Sequence, residues 1–277
     1  MARVITPMAQ MGTEIVSEEN SLLPLTVMGN DNPIPITYEV PVPSAQVKSA
    51  ILLAGLNCRG KTTVIEKIAT RDHTEKMLQG IGADITIDVK EDGARHITVT
   101  GYPELQPHDV SIYGDPSSAA FLIVSALITK NSHIVIKNVG INPLRTGLYT
   151  TLEEMGANIT YTNRKMVAGE EVADIEVKSS ALKGVKVPAE RASSMIDEYP
   201  ILAVAASFAE GKTEMVGLKE LKVKESDRLQ AIADGLTANG AKIELGEESL
   251  TVFGGTVQGG GVVKTHLDHR IAMSFLV

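Results

Sequence analysis

The chain has 277 residues, 43% of them hydrophobic, with no tryptophan and a formal net charge of −8. That size suits one large or two moderate domains around an aliphatic core, and the acidic balance excludes nucleic-acid binding through a general basic surface. The single cysteine, Cys58, excludes an intrachain disulfide, and the absence of a membrane-length apolar run or a signal-peptide layout makes the cytosol the default location.

The first landmark along the chain is "MGTEI", residues 11–15, and it recurs as "IGADI", "MGANI" and "NGAKI". Each phrase follows a helical pattern and precedes a β-like one, so Gly12, Gly82, Gly156 and Gly240 suit the left-handed position just past a helix. Next comes "PSAQVKSAILLAGL", apolar at helical spacing with Ser44 as its cap. It runs into "GLNCRGKT", which fits the phosphate-loop pattern G-x-x-x-x-G-K-[ST]. The flanks contradict that match: a phosphate loop joins a strand to a helix, whereas here a helix leads through a turn into the strand "TTVIEKI". Gly60 and Lys61 are therefore turn residues, and Cys58 is a bystander thiol.

The amphipathic helix "RDHTEKMLQGIG" and the hairpin strand "HITVTG" close this repeat, and a domain break near Asp109 gives domains 1–109 and 110–277. The same order returns as "AAFLIVSALI", "SHIVIKNV" and "RTGLYTTLEEMG". It returns again as "YPILAVAASFA", "KTEMVGL", "ESDRLQAIADGLTANG" and "SLTVFGG". Segments near "PHDVSIYGD" and "LKGVKVP" read as connectors. The unit is strand, buried Ala-rich helix, strand, outer helix, hairpin: an α/β fold with mixed sheets. The first repeat starts at its outer helix and the last stops inside the apolar run "THLDHRIAMSFLV". The expectation is a central piece of a longer protein.

Polar residues recur around the starts of the apolar helices: Ser44, Gln46 and Lys48; Asp115, Ser117 and Ser118; Ser193, Ser194, Asp197 and Glu198; His266, Asp268, His269 and Arg270. If the units are arranged alike, these helix N-termini converge and suit an anionic ligand. Simple capping accounts for the Ser and Asp residues, but not for Gln46, Lys48, Glu198 or Arg270. In "LKVKESDRL", Lys222, Lys224 and Arg228 interleave with Glu225 and Asp227; a solvated first turn capped by Ser226 or Asp227 explains it equally well. Arg71, Asp72, His73 and Glu75 of "ATRDHTEKML" likewise fit ordinary surface pairing. His266 and His269 form the one close histidine pair, without further metal ligands to hand.

Taken together and in order, "PSAQVKSAILLAGL", "TRDHTEKML", "GDPSSAAFLIVSAL", "MIDEYPILAVAA", "LKVKESDRL" and "THLDHRIAM" closely resemble 5-enolpyruvylshikimate-3-phosphate synthases, in the bacterial class that includes glyphosate-tolerant members. The resemblance runs from about Arg3 to Val277. It implies a two-lobed inside-out α/β barrel of repeated βαβαββ units, here incomplete at both termini: a partial first lobe and a second lobe lacking its end. It implies enolpyruvyl transfer from phosphoenolpyruvate to the 5-hydroxyl of shikimate 3-phosphate in aromatic amino-acid biosynthesis, with no metal or organic cofactor. The implied partners are those two small molecules, with no nucleic acid and no membrane, and a complementing N-terminal segment or second copy.

By the same resemblance, Ser44, Ala45 and Gln46 bind the shikimate phosphate, and Arg71 contacts its phosphate or ring. Asp197 takes the 5-hydroxyl proton, Lys224 beside it contacts substrate and serves proton transfer, and Glu225 protonates the methylene of phosphoenolpyruvate. Arg228 and Arg270 grip its carboxylate and phosphate. The family's N-terminal Lys-Ser segment, Gly-rich loop, following arginine and C-terminal lysine have no counterpart here, so weak or absent turnover by the chain alone is expected. The alternatives are a non-catalytic binding or complementing lobe and the sister enolpyruvyl transferase acting on UDP-N-acetylglucosamine, whose loop cysteine Cys58 does not match.

Overall fold

The computed structural model describes residues 1–107 and 109–277, which divide into two compact units, Met1–Ser111 and Ile112–Val277. His108, inside the expected connector 107–115, lies outside the described residues.

The first unit opens with α1 (Ala2–Gln10) and a two-stranded antiparallel sheet of β1 (Glu14–Glu18) and β2 (Leu22–Met28). There follow β3 (Thr37–Glu39), α2 (Ala45–Gly55), β4 (Lys61–Glu66), α3 (His73–Gly80), β5 (Ile85–Val89) and β6 (Arg95–Thr100). The sheet order is β3-β4-β6-β5, with β3 parallel to β4 and the other pairs antiparallel. A parallel pair needs a crossover, and α2 supplies it. Along β4, Thr62, Val64 and Glu66 are buried in alternation. Val47, Ile51 and Leu52 of α2 share one core with Val64, Ile97 and Val99 of the sheet.

The second unit runs α4 (Pro116–Ile128), β7 (His133–Gly140), α5 (Gly147–Glu154), β8 (Asn158–Val167) and β9 (Glu170–Lys178). Its first sheet is β7-β9-β8, and Gly114 bridges Val139 in parallel, taking the place beside β7 that β3 has beside β4. Then come β10 (Lys186–Val187), α6 (Tyr199–Ser207), β11 (Lys212–Val216), α7 (Arg228–Ala238), β12 (Lys242–Leu245), β13 (Ser249–Phe253) and α8 (His269–Leu276). The order β10-β11-β13-β12 repeats that of the first unit, including the parallel first pair. The expected βαβαββ repeat is thus present, and "LKGVKVP", read as a connector, supplies β10.

Two helix expectations need correction. All nine residues of α6 are buried, but α2 and α4 leave Leu53 and Leu122 46% and 56% exposed, and α8 buries only Ile271 and Ser274. An apolar composition measures how much surface a helix can bury, not which of its faces is covered. The turn glycines behave as the repeat requires: Gly12, Gly82, Gly156 and Gly240 have φ of +88°, +94°, +90° and +82°. Lys61, read as a turn residue, is instead the exposed first residue of β4, paired with Thr100; the helix–turn–strand order itself holds.

The duplication also fixes a close backbone approach. A Cβ on Gly101 would sit 1.7 Å from the Cys58 carbonyl oxygen, and one on Gly254 would sit 1.8 Å from that of Ala209. Both glycines follow a hairpin strand and press on the turn after a crossover helix. Gly101→Ala should therefore destabilise the first unit by about 3 kcal/mol. Gly80→Ala, with open space around the new methyl, should stay within about 1 kcal/mol of wild type or gain stability. Urea unfolding of the two variants checks this.

Candidate active site

In the second unit, four elements bring their charged ends together. Asp197 and Glu198 immediately precede α6, and Lys224 and Glu225 lie in the loop before α7. Arg228 is the first residue of α7, and Asp268 caps α8, accepting from the Arg270 amide at 2.9 Å.

Arg228 is the hub, with no exposed surface. Its Nε donates to Asp268 Oδ2 at 2.8 Å, one Nη donates to Asp197 Oδ1 at 2.9 Å, and the other pairs with Glu225. Ser226 Oγ donates to the same Asp268 oxygen at 3.0 Å. Burial works against ionisation of Asp268, but Arg228, the Arg270 amide and Ser226 outweigh it and hold its carboxyl below the usual 3.8. Lys224 Nζ lies 3.4 Å from Asp197 Oδ1, so that carboxylate faces two cations. The solvated-turn reading of "LKVKESDRL" holds for exposed Lys222 and for Asp227, which caps α7 by accepting from the Gln230 amide at 3.1 Å; it fails for Arg228.

A second chain of contacts continues from Arg270. Its guanidinium lies 3.4 Å from Glu198 Oε1 and 3.5 Å from the Asp197 carbonyl oxygen. Ser117, at the start of α4, lies beside Glu198 and accepts from Arg145 at 2.7 Å; Arg145 also pairs with Asp115 at 2.9 Å. Burial pushes the Glu198 carboxyl above its usual 4.5, and neighbouring Asp197 adds to the effect, against Ser117, Arg270 and Arg145.

A raised acid favours the fold while neutral. That contribution is complete below pH 4.5 and is lost as the pH rises through the folded value. Glu198→Gln should therefore stabilise the second unit relative to wild type at about pH 8 and have little effect at about pH 4, read as the difference in urea midpoints.

Arg145 was missed in the sequence, although a signal for it exists. It stands two residues before α5, as Arg71 stands two residues before α3, so aligning the repeats pairs the two arginines.

The remaining expected residues lie in the first unit. Ser44 is buried and caps α2, accepting from the Val47 amide at 3.4 Å; Ala45 is half-buried and Gln46 exposed. Arg71 is half-buried in the irregular segment before α3. A cleft of about 200 Å³ opens beside Ser44 at the carboxyl ends of β3 and β4, lined also by Val40, Pro43, Glu66 and Lys67. The helix N-terminus at this cleft suits an anion, whereas the Glu39 and Glu66 carboxylates that also line it oppose one.

A family model described as EPSP synthase (3-phosphoshikimate 1-carboxyvinyltransferase) matches residues 1–277. A 3-phosphoshikimate 1-carboxyvinyltransferase from Pseudomonas sp. (strain PG2982) is 58% identical over 280 residues, covering 100% of this chain and 62% of the relative. An EPSP synthase structure from Acinetobacter baumannii superimposes with a TM-score of 0.85 at 41% identity, covering 99% of this chain and 63% of that one. The enolpyruvyl transferase NikO from Streptomyces tendae, 17% identical with a TM-score of 0.71 over 99% of this chain and 63% of that one, shares the fold. The chain thus spans less than two thirds of the length of these relatives. No helix among the described residues is long and apolar enough to cross a membrane.

Proposed function

Because the chain belongs to the EPSP synthase (3-phosphoshikimate 1-carboxyvinyltransferase) family, we propose that it serves enolpyruvyl transfer from phosphoenolpyruvate to the 5-hydroxyl of shikimate 3-phosphate. Asp197 takes the hydroxyl proton as the new C–O bond forms at C2 of phosphoenolpyruvate, while Glu225 delivers a proton to the methylene carbon. The product of that addition is a tetrahedral intermediate. Elimination then breaks the bond from C2 to the phosphate oxygen, a methyl proton leaves, and the double bond returns.

The observation that carries this reading is the setting of Asp197. Its carboxylate is half-buried before α6, with Arg228 at 2.9 Å and Lys224 at 3.4 Å. Two cations around one carboxylate supply both a placed base and charge for an incoming anion. Arg228 and Arg270 hold the carboxylate and phosphate of phosphoenolpyruvate. One edge of Arg228 is engaged by Glu225, whose side chain is 54% exposed. A substrate carboxylate taking that edge frees Glu225 to act as the acid. Ser44, Ala45, Gln46 and Arg71 bind shikimate 3-phosphate through the capped helix start and a guanidinium. A cytosolic location is part of this reading, supported by the lone cysteine.

The test is phosphate release by the purified chain. Slow release that requires both shikimate 3-phosphate and phosphoenolpyruvate is the expected result. Release with UDP-N-acetylglucosamine in place of shikimate 3-phosphate would overturn the substrate assignment. Binding of both substrates by folded chain without release would make it a binding lobe instead.

A further inference from the structure

Inside the Met1–Ser111 unit lies a charged cluster that the proposed chemistry does not use. Lys48, in the second turn of α2, has no exposed surface. Its ammonium lies 3.1 Å from Glu66 Oε2 and 2.8 Å from Glu75 Oε1, and donates to the Thr70 carbonyl at 3.3 Å. Glu66 ends β4, Glu75 lies in the first turn of α3, and both are buried. The Thr70 hydroxyl also donates to Glu66.

Three charges taken out of water are a poor source of stability, because desolvation offsets their attraction. What the ammonium does provide is a single atom that ties three parts of the chain, donating to Glu66 and to the Thr70 carbonyl and supplying the counter-charge for Glu75. Each part borders the groups proposed to hold shikimate 3-phosphate. Ser44, Ala45 and Gln46 form the turn of α2 that leads into Lys48, and Arg71 directly follows Thr70. The segment 67–72 is neither helix nor strand, so no regular ladder fixes Arg71. A hydrogen bond of 2.7 Å between the Ser49 and Thr74 hydroxyls adds a second tie between α2 and α3.

We propose that Lys48 is a positioning residue, which fixes the start of α2 and the Thr70–Arg71 turn as one frame for the substrate phosphate. Its link to substrate rests on the binding roles given above to Ser44–Gln46 and Arg71; the frame itself rests on the Lys48 contacts. Methionine at 48 fills the volume but donates nothing, and leaves Glu66 and Glu75 without their shared counter-charge.

Amide hydrogen exchange and shikimate 3-phosphate affinity of Lys48→Met, both measured where the variant is fully folded, test this. Exchange should quicken roughly tenfold or more in 44–48 and in 69–75, with the Ile112–Val277 unit as in wild type. Affinity should fall roughly tenfold. Glu75→Gln keeps the Lys48–Glu66 pair and should give smaller changes in the same two segments; it carries the test if Lys48→Met does not fold. Unchanged exchange in either segment overturns the proposal, as does loosening of both with wild-type affinity. If wild type itself binds no shikimate 3-phosphate while both segments loosen, the frame stands and the phosphate-binding assignment falls.

Discussion

Replacing Arg228 with methionine should lower the stability of the Ile112–Val277 unit by about 3–5 kcal/mol at neutral pH. The guanidinium is buried and serves Asp197, Glu225 and Asp268 at once. Glu225 is exposed enough to turn to water, and Asp197 keeps Lys224. Asp268 has neither escape: its side chain is 0% exposed, and it would remain a buried charge with only Ser226 and an amide.

The pH dependence follows from the same residue. In wild type the lowered Asp268 value contributes stability above the usual 3.8, which is lost as the pH falls through the folded value. The loss on substitution should therefore shrink as the pH drops through that range. Arg228→Lys should recover only part of the stability, since one ammonium cannot match three separate N–H directions. Urea titrations across pH measure all of this, and a loss under about 1 kcal/mol would mean that Asp268 has found another partner.

Asp197→Asn should cut phosphate release by about 10²–10⁴-fold, the range for removing a placed proton acceptor. The amide keeps the shape and can still accept from Arg228, so the fold and the affinity for phosphoenolpyruvate should change little. The fall should appear in kcat rather than in KM. Initial rates with both substrates varied separate the two, and a variant with near-wild-type kcat would remove Asp197 from the proton-transfer role.

The parts of this structure that were legible in the sequence are those with local causes. A chain that must turn out of a helix needs positive φ, and Gly12, Gly82, Gly156 and Gly240 all adopt it. Ser44, Asp227 and Asp268 cap the helices they precede because their side chains reach an amide two or three residues on. The false phosphate loop was exposed by its flanks, which are local too. Burial of charge is not local. Lys48, Glu66 and Glu75 come from separate elements, and nothing near any of them in sequence says that they meet. Arg228 sits in a run of charges that reads as solvated, and it is buried because α6 and α8 bring Asp197 and Asp268 to it from far along the chain. The repeat was the strongest signal available, and carried one step further it would have paired Arg145 with Arg71.

The burial of Cys58 makes the opening of one unit, Met1–Ser111, observable by itself. The thiol is the only one in the chain, is fully buried in the turn after α2, and faces the Ala54 carbonyl at 3.7 Å. A thiol-reactive dye can reach it only when that turn opens, so the labelling rate is a clock for opening of the Met1–Ser111 unit. The second unit carries no sulfhydryl, so no label forms there. Run under native conditions, the same reaction separates a substitution that loosens Lys48 and its neighbours from one that unseats Arg228, without denaturant and without any engineered label.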